Sequence, residues 1–228
     1  MPITTCVFDA YGTLFDVAAA AREAAREPAF AAIADTWPQL AEHWRLKQLQ
    51  YSWLRAVTGA HDDFWQVTQE GLDWSLEKMG VADDPALRER LLALYWELQA
   101  FAEVPAMLRA LKDGGLNTAI LSNGSPAMLD GAVQSAGISD LLDVSLSVES
   151  VGVFKPHASV YDLVGAHYSC AKGEVLFVSS NGWDAAAATG YGFTTAWVNR
   201  GGDPVDRLPW KPAHQLRDLS GIPALAGL

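Results

Sequence analysis

Four short apolar runs constrain this chain most, because each ends in polar side chains and helical patterns fall between them. They are ITTCVFD (3–9), LNTAILSN (116–123), EVLFVSSN (174–181) and FTTAWVN (193–199), rich in β-branched and aromatic residues. The helical patterns cover 125–136, 157–167 and 183–191. Strands alternating with helices predict an α/β fold, a parallel sheet covered by helices on both faces. Such a sheet gathers its ligands beyond the carboxyl ends of the strands, where the polar ends of all these runs would meet.

Residues 16–100 behave differently. They hold no convincing strand and read as four or five helices, among them PQLAEHWRLKQLQYSWLRAV (38–57) and DDFWQVTQEGLDWSLEKMG (62–80). Six of the nine tryptophans fall here, and Trp37, Leu40, Trp44, Gln48, Tyr51 and Leu54 follow the spacing of a helical packing stripe. We expect a core domain of residues 1–15 and 101–228, with residues 16–100 inserted after the first strand as a helical cap over the sheet's active edge. The Pro/Gly-rich GGDPVDRLPWKPAHQL (201–216) reads as a connection to a short strand and a terminal helix.

Charge narrows the partners. With 27 acidic and 16 basic residues the formal net charge is -11, which argues against nucleic acid and anionic membranes. An anionic ligand would need a local cluster of cations, so lysines and arginines beside motifs matter. Cys6 and Cys170 form no disulfide framework and no metal-type spacing. With no leader-like segment and no apolar run of bilayer length, the expected compartment is the cytoplasm.

The strand ends together carry a resemblance. An aspartate ends the first strand (Asp9), a serine the second (Ser122), a lysine precedes the helix at 157 (Lys155), and an acid follows the fourth motif (Asp184). In this order they resemble the haloacid dehalogenase superfamily, which implies a Rossmann-like parallel-sheet core with an inserted α-helical cap domain. Most of that superfamily are phosphatases reading Asp-x-Asp-Gly-Thr at the first strand and Gly-Asp-x-x-x-Asp at the fourth. Here Tyr11 replaces the second aspartate, and Ser179 and Ser180 stand in place of Gly-Asp. The first change removes the proton donor to a leaving oxygen, and the second weakens a magnesium cage. Both departures, with DAYGTLFDV, WRLKQLQYSWLR, LSNGSP, KPHASVY and FVSSNGWDA, resemble the L-2-haloacid dehalogenases. That branch hydrolyses short 2-haloalkanoates without a metal or other cofactor. A halide leaves as an anion and needs no proton, so an acid at position 11 would have no task and would repel a carboxylate substrate.

The resemblance implies a role for each matching residue. Asp9 would attack C2 and form an aspartyl ester that water then hydrolyses. Lys155 would keep the nucleophile ionised, and Thr13 would orient it. Arg45, about 100° round the helix from Trp44, would receive the halide with help from Asn123. Ser122 would bind the substrate carboxylate at the start of a helix. Tyr11, Phe64 and Trp183 would wall the site, and Tyr161 would reach it. Ser179, Asn181 and Asp184 would fix Lys155, Asp9 and the hydrolytic water. Taken singly, several have plainer readings: Arg45 as a surface partner of Glu42, Asp184 as an acid in a helix's first turn, Phe64 and Trp183 as core. A magnesium-dependent phosphatase, hydrolytic opening of a strained ring such as azetidine-2-carboxylate, and a non-enzymatic binding role remain the competing functions. The aromatic-rich helical segment fits a homodimer interface and equally a core of its own.

Overall fold

The computed structural model of the chain describes residues 1–228. Six strands form one sheet: β1 (Thr5–Phe8), β2 (Asn117–Ser122), β3 (Val144–Ser147), β4 (Val175–Ser179), β5 (Thr194–Val198) and β6 (His214–Leu216). All pairs are parallel, in the order β3-β2-β1-β4-β5-β6. Helices α5 (Val104–Asp113), α6 (Pro126–Ser135), α7 (Ala158–Tyr168), α8 (Gly182–Tyr191) and the terminal α9 (Ile222–Leu225) complete this layer. Every residue of β1 and β4 is buried, as a central strand covered on both faces requires. The chain runs outward from β1 to β3, returns to β4 and runs outward again. The carboxyl ends of β1 and β4 therefore flank the switch point where ligands bind. In register, Phe8 lies opposite both Ile120 and Val178, which brings Asp9 level with Ser179 and one residue short of Ser122.

Between β1 and α5 the chain is helical: α1 (Ala19–Ala24), a 3-10 turn over Pro28–Ile33, α2 (Trp37–Thr58), α3 (Phe64–Met79) and α4 (Pro85–Trp96). Asp63 and Asp84 cap α3 and α4 by accepting the backbone N–H groups of Gln66 and Leu87. The α2–α3 pair is fastened through Trp44 Nε1, which donates to the Thr68 carbonyl at 2.8 Å, and Gln48 Nε2, which donates to Thr68 Oγ1 at 2.9 Å. The two crossings between sheet and helical layer run side by side. Asp16 N donates to the Gln99 carbonyl at 3.0 Å and Phe101 N to the Leu14 carbonyl at 2.9 Å.

Three details depart from the sequence expectation. The buried line of α2 runs Leu40, Trp44, Gln48, Ser52, while Leu54 is 54% exposed. Steps of four turn slowly around a helix, so this line leaves the expected stripe after Gln48. Strand β3 and helix α5 were not anticipated. Strand β3 is a four-residue edge, VSLS, only partly buried along most of its length.

Candidate active site

The position of Asp9 is built by the β1–β4 ladder, which continues one residue past the strand. Asp9 N donates to the Val178 carbonyl at 2.9 Å, fixing the backbone that carries the carboxylate. The chain then turns tightly, with Gly12 N donating to the Phe15 carbonyl at 2.7 Å. Gly12 has φ +88°, and a Cβ there would stand 3.1 Å from Ser180 Oγ and 3.5 Å from Arg45 Nη2. Only glycine meets both the left-handed backbone and the close approach of Ser180 Oγ.

Asp9 is held from both sides. Its Oδ1 accepts from Lys155 Nζ at 3.2 Å; its Oδ2 accepts from Thr13 Oγ1 at 2.9 Å and Asn181 Nδ2 at 3.2 Å. Lys155 Nζ also donates to Asp184 Oδ2 at 3.1 Å, and the Tyr161 hydroxyl donates to Asp184 Oδ1 at 2.7 Å. Lys155 and Asp184 are almost wholly buried. Burial alone would lower the lysine, but Asp184 and then Asp9 more than offset it and hold the ammonium above the usual lysine value. Complete burial raises the Asp184 carboxyl despite its lysine and tyrosine partners. The ammonium is therefore the fixed charge of this cluster, and two carboxylates share it. Burial also raises the Tyr11 phenol well above its ordinary value, so it stays neutral in its stack on Tyr95, with ring centroids 5.6 Å apart.

Arg45 enters from α2 and joins the two layers. Its Nη2 donates to the Tyr11 carbonyl at 3.1 Å and to Asn181 Oδ1 at 2.9 Å, and it has no ion pair with Glu42. Asp9, Tyr11, Arg45, Leu49, Phe64, Ser122, Asn123, Lys155, Asn181 and Trp183 enclose a cavity of about 20 Å³. That is the space of one or two waters. Its unspent polar capacity is almost all donor. Ser122 Oγ accepts from Gly124 N at 3.1 Å, which leaves its O–H free. Asn123 Oδ1 accepts from Lys155 N at 3.0 Å, which leaves its NH₂ free. Arg45 keeps Nε and Nη1 without a protein acceptor. Around Asp9, then, stand donors for an anion and the apolar surfaces of Tyr11, Leu49, Phe64 and Trp183.

The remaining residues singled out from sequence stand behind this cavity. Thr13, Tyr161 and Asp184 act on it through Asp9 and Lys155. Ser179 Oγ accepts from Asn181 N at 3.1 Å and forms no hydrogen bond with Lys155 or Asp9, so it braces the loop. Ser180 takes the place next to the nucleophile loop, its N–H donating to Thr13 Oγ1 at 2.8 Å. Two residues went unread in the sequence. Leu49 lies one turn beyond Arg45 on the same helix face, which is the signal that marks it. Arg200 donates to the Thr13 carbonyl at 3.2 Å and pairs with Glu103 at 2.7 Å, a contact between distant loops without a local signature.

The fold family implies magnesium, and the donor set here does not fit it. No group of three or more acidic, histidine or cysteine side chains is arranged to hold a metal ion. The two carboxylates at the switch point converge on one ammonium, and Ser179 ends β4 with Ser180 and Asn181 after it. Mg²⁺ needs oxygen ligands in octahedral array, usually with carboxylates free to provide them.

A carboxylate and lysine at the switch point of a six-stranded parallel sheet define a hydrolase class, and sequence comparison agrees. The chain belongs to the haloacid dehalogenase-like hydrolase family, whose sequence model matches residues 3–192. It is 41% identical to (S)-2-haloacid dehalogenase 1 of Pseudomonas sp. strain CBS-3, over 98% of this chain and 96% of that protein. The L-2-haloacid dehalogenase RSc1362 superposes with a TM-score of 0.93 at 37% identity, covering both chains completely. The L-2-haloacid dehalogenase of Xanthobacter autotrophicus with chloropropionic acid covalently bound gives 0.86 at 35% identity, over 98% of each chain. No helix is long and apolar enough to cross a membrane.

Proposed function

We propose that the protein is an (S)-2-haloacid dehalogenase, converting short (S)-2-haloalkanoates and water to (R)-2-hydroxy acids and halide. One observation carries the reading: a buried carboxylate nucleophile faces a cavity whose free polar groups are donors and whose other walls are apolar. That lining suits a substrate with an anionic head, a small alkyl body and an anionic leaving group. Asp9 attacks C2 in line with the carbon–halogen bond; the C2–O bond forms as the halide departs with the bonding pair, inverting the centre. Arg45 and Asn123 receive the halide, and Ser122 holds the substrate carboxylate. Water then adds to the ester carbonyl, releases the hydroxy acid and restores Asp9. With Asp9 esterified, Asp184 is the carboxylate left in the cluster, and its burial-raised carboxyl suits it to take the water's proton through the Lys155 network.

No metal takes part in this scheme. The alternative with an amine leaving group is not favoured, because Arg45 donates hydrogen bonds without surrendering a proton. Residues 16–100 act as the cap and residues 1–15 and 101–228 as the core. A cavity of about 20 Å³ admits no substrate until α2 moves away from the sheet, and the paired crossings at 14–16 and 99–101 supply the hinge. We place the enzyme in the cytoplasm and as a homodimer, for which the exposed Leu46 and Leu54 on α2 supply apolar surface.

The test is chloride release from each enantiomer of 2-chloropropionate with EDTA present. Release from the S form alone is expected, and Asp9→Asn should abolish it. Release that requires magnesium, or full turnover by Asp9→Asn, would overturn the reading.

A further inference from the structure

The cleft between α2 and the sheet layer holds a second cavity. It measures about 290 Å³ and is lined by Trp53, Ala56, Val57, Pro156, Trp183, Ala187 and the Leu208-Pro209-Trp210 segment. None of these side chains carries a charge. Trp183 alone lines both cavities. The two follow one another along the same elements. On α2, Arg45 and Leu49 face the catalytic cavity and Trp53, Ala56 and Val57 the apolar one, so about one helical turn of 5.4 Å separates their walls. Opposite, Lys155 faces the first and Pro156 the second, and on α8 the pair Trp183 and Ala187 repeats the step.

The outer wall is built into α8. A Cβ at Gly182 would stand 2.8 Å from Asp206 Oδ2, and one at Gly190 would stand 2.4 Å from Trp210. Glycine inside a helix costs about 1 kcal/mol relative to alanine. Here it lets the segment carrying Leu208 and Trp210 lie directly on the helix at both ends. The partition itself is fixed too: Trp183 meets Trp53 edge to face, with ring centroids 5.3 Å apart at 89°.

We infer that Trp183 determines substrate chain length, closing the catalytic cavity against an apolar subsite that the alkyl tail of a longer 2-haloacid would otherwise occupy. The inference rests on the dehalogenase reading. With the indole in place, the alkyl group must end within the space bounded by Leu49, Phe64 and Trp183, which suits haloacetate and 2-halopropionate. With the indole cut back, the tail continues along α2 into a lining that matches it.

The test compares kcat/KM for bromide release from (S)-2-bromopropionate and (S)-2-bromohexanoate. A single methylene at a close-fitting apolar wall changes kcat/KM by about 10–200-fold. The wild type should therefore favour the propionate by at least ~10-fold, and Trp183→Ala should raise the hexanoate-to-propionate ratio by about 100-fold. Trp183→Leu, which keeps more of the packing, should shift it in the same direction. Leu208→Glu in the Trp183→Ala background places a charge in the second cavity on a 40% exposed residue and should cancel the gain. A wild type that takes both substrates equally, variants that lose both activities in proportion, or a gain that survives Leu208→Glu would overturn the inference. Absence of bromide release from (S)-2-bromopropionate by the wild type would instead overturn the parent reading, and the inference with it.

Discussion

Replacing Lys155 with methionine tests the electrostatics of the site most directly. The side chain is 1% exposed, and its ammonium lies 3.2 Å from Asp9 and 3.1 Å from Asp184, the latter fully buried. Each contact is worth about 5 kcal/mol at an effective dielectric of 20, much of it offset by the cost of burying the charges. Methionine keeps the stem's volume but leaves two buried carboxylates facing each other without a cation. Breaking a buried pair in this way costs about 3–5 kcal/mol. With an m-value of about 2–3 kcal/mol/M, the urea midpoint at pH 7 should fall by roughly 1–2 M. Adding Asp184→Asn removes the repulsion and should restore at least about half of the loss. The pH dependence carries the same logic. Burial raises Asp184 already, and without Lys155 the native state holds a proton that the unfolded chain releases. Stability of Lys155→Met should therefore rise as pH falls from 8 toward 5, by up to about 1.4 kcal/mol per pH unit, before general acid unfolding begins. An unchanged urea midpoint, a flat profile between pH 5 and 8, or a double variant no more stable than the single one would refute the account.

Further outcomes follow from neighbouring groups. Lys155, Tyr11, Tyr95 and Tyr161 all have their proton affinities raised in the folded state, Tyr95 to about 12. Each contributes stability that is complete below its unfolded value near pH 10 and lost as pH climbs through the folded value. These four alone should therefore lower the unfolding free energy above pH 10, by up to about 5.5 kcal/mol per pH unit when all are engaged, and Tyr11→Phe should shallow the slope. Urea titrations from pH 9 to 11 measure this directly. At Gly124 a Cβ would stand 2.7 Å from Tyr11 Cε2 and 3.1 Å from Leu129 Cδ2. Gly124→Ala should cost about 1–3 kcal/mol and lower Tm by roughly 3–10 °C. Tyr11→Leu should recover part of that loss while Tyr11→Phe does not, because the closest clash is with a ring carbon.

The strands that position the chemistry were readable because β1, β2, β4 and β5 are central enough to need unbroken apolar runs, and their polar ends mark the active edge. Strand β3 lies at an edge with alternate serines, so its run carries little apolar signal. Helix α5 did carry one, since Val104, Met107, Leu108 and Leu111 follow i, i+3, i+4, i+7 spacing and are buried. At the site, Asp9, Lys155, Asn181 and Asp184 stand in local motifs and were found there. What was not legible depends on distant segments meeting. Arg200 reaches Thr13 across 187 positions. The two-sided place of Trp183 depends on how 208–210 packs against α8, which no short-range pattern specifies.

The departures from the phosphatase pattern form one consistent device. With Tyr11 in place of an acid, the cluster holds two carboxylates against one buried ammonium, and Arg45 from α2 brings a second cation to the same cavity. A third carboxylate at position 11 would leave the site negative and displace the Tyr11 stack that seats Phe64 and Tyr95. It would then need a divalent cation, for which Lys155 leaves little room between Asp9 and Asp184. Serine at 180 follows from the same constraint: its backbone N–H donates to Thr13 Oγ1, and its small neutral Oγ lies 3.1 Å from that hydroxyl, where an acid would add charge beside Asp9. The neutral residues at 11 and 180 and the arginine on α2 are thus coupled choices. Reverting any one alone unbalances the charge without restoring a metal cage.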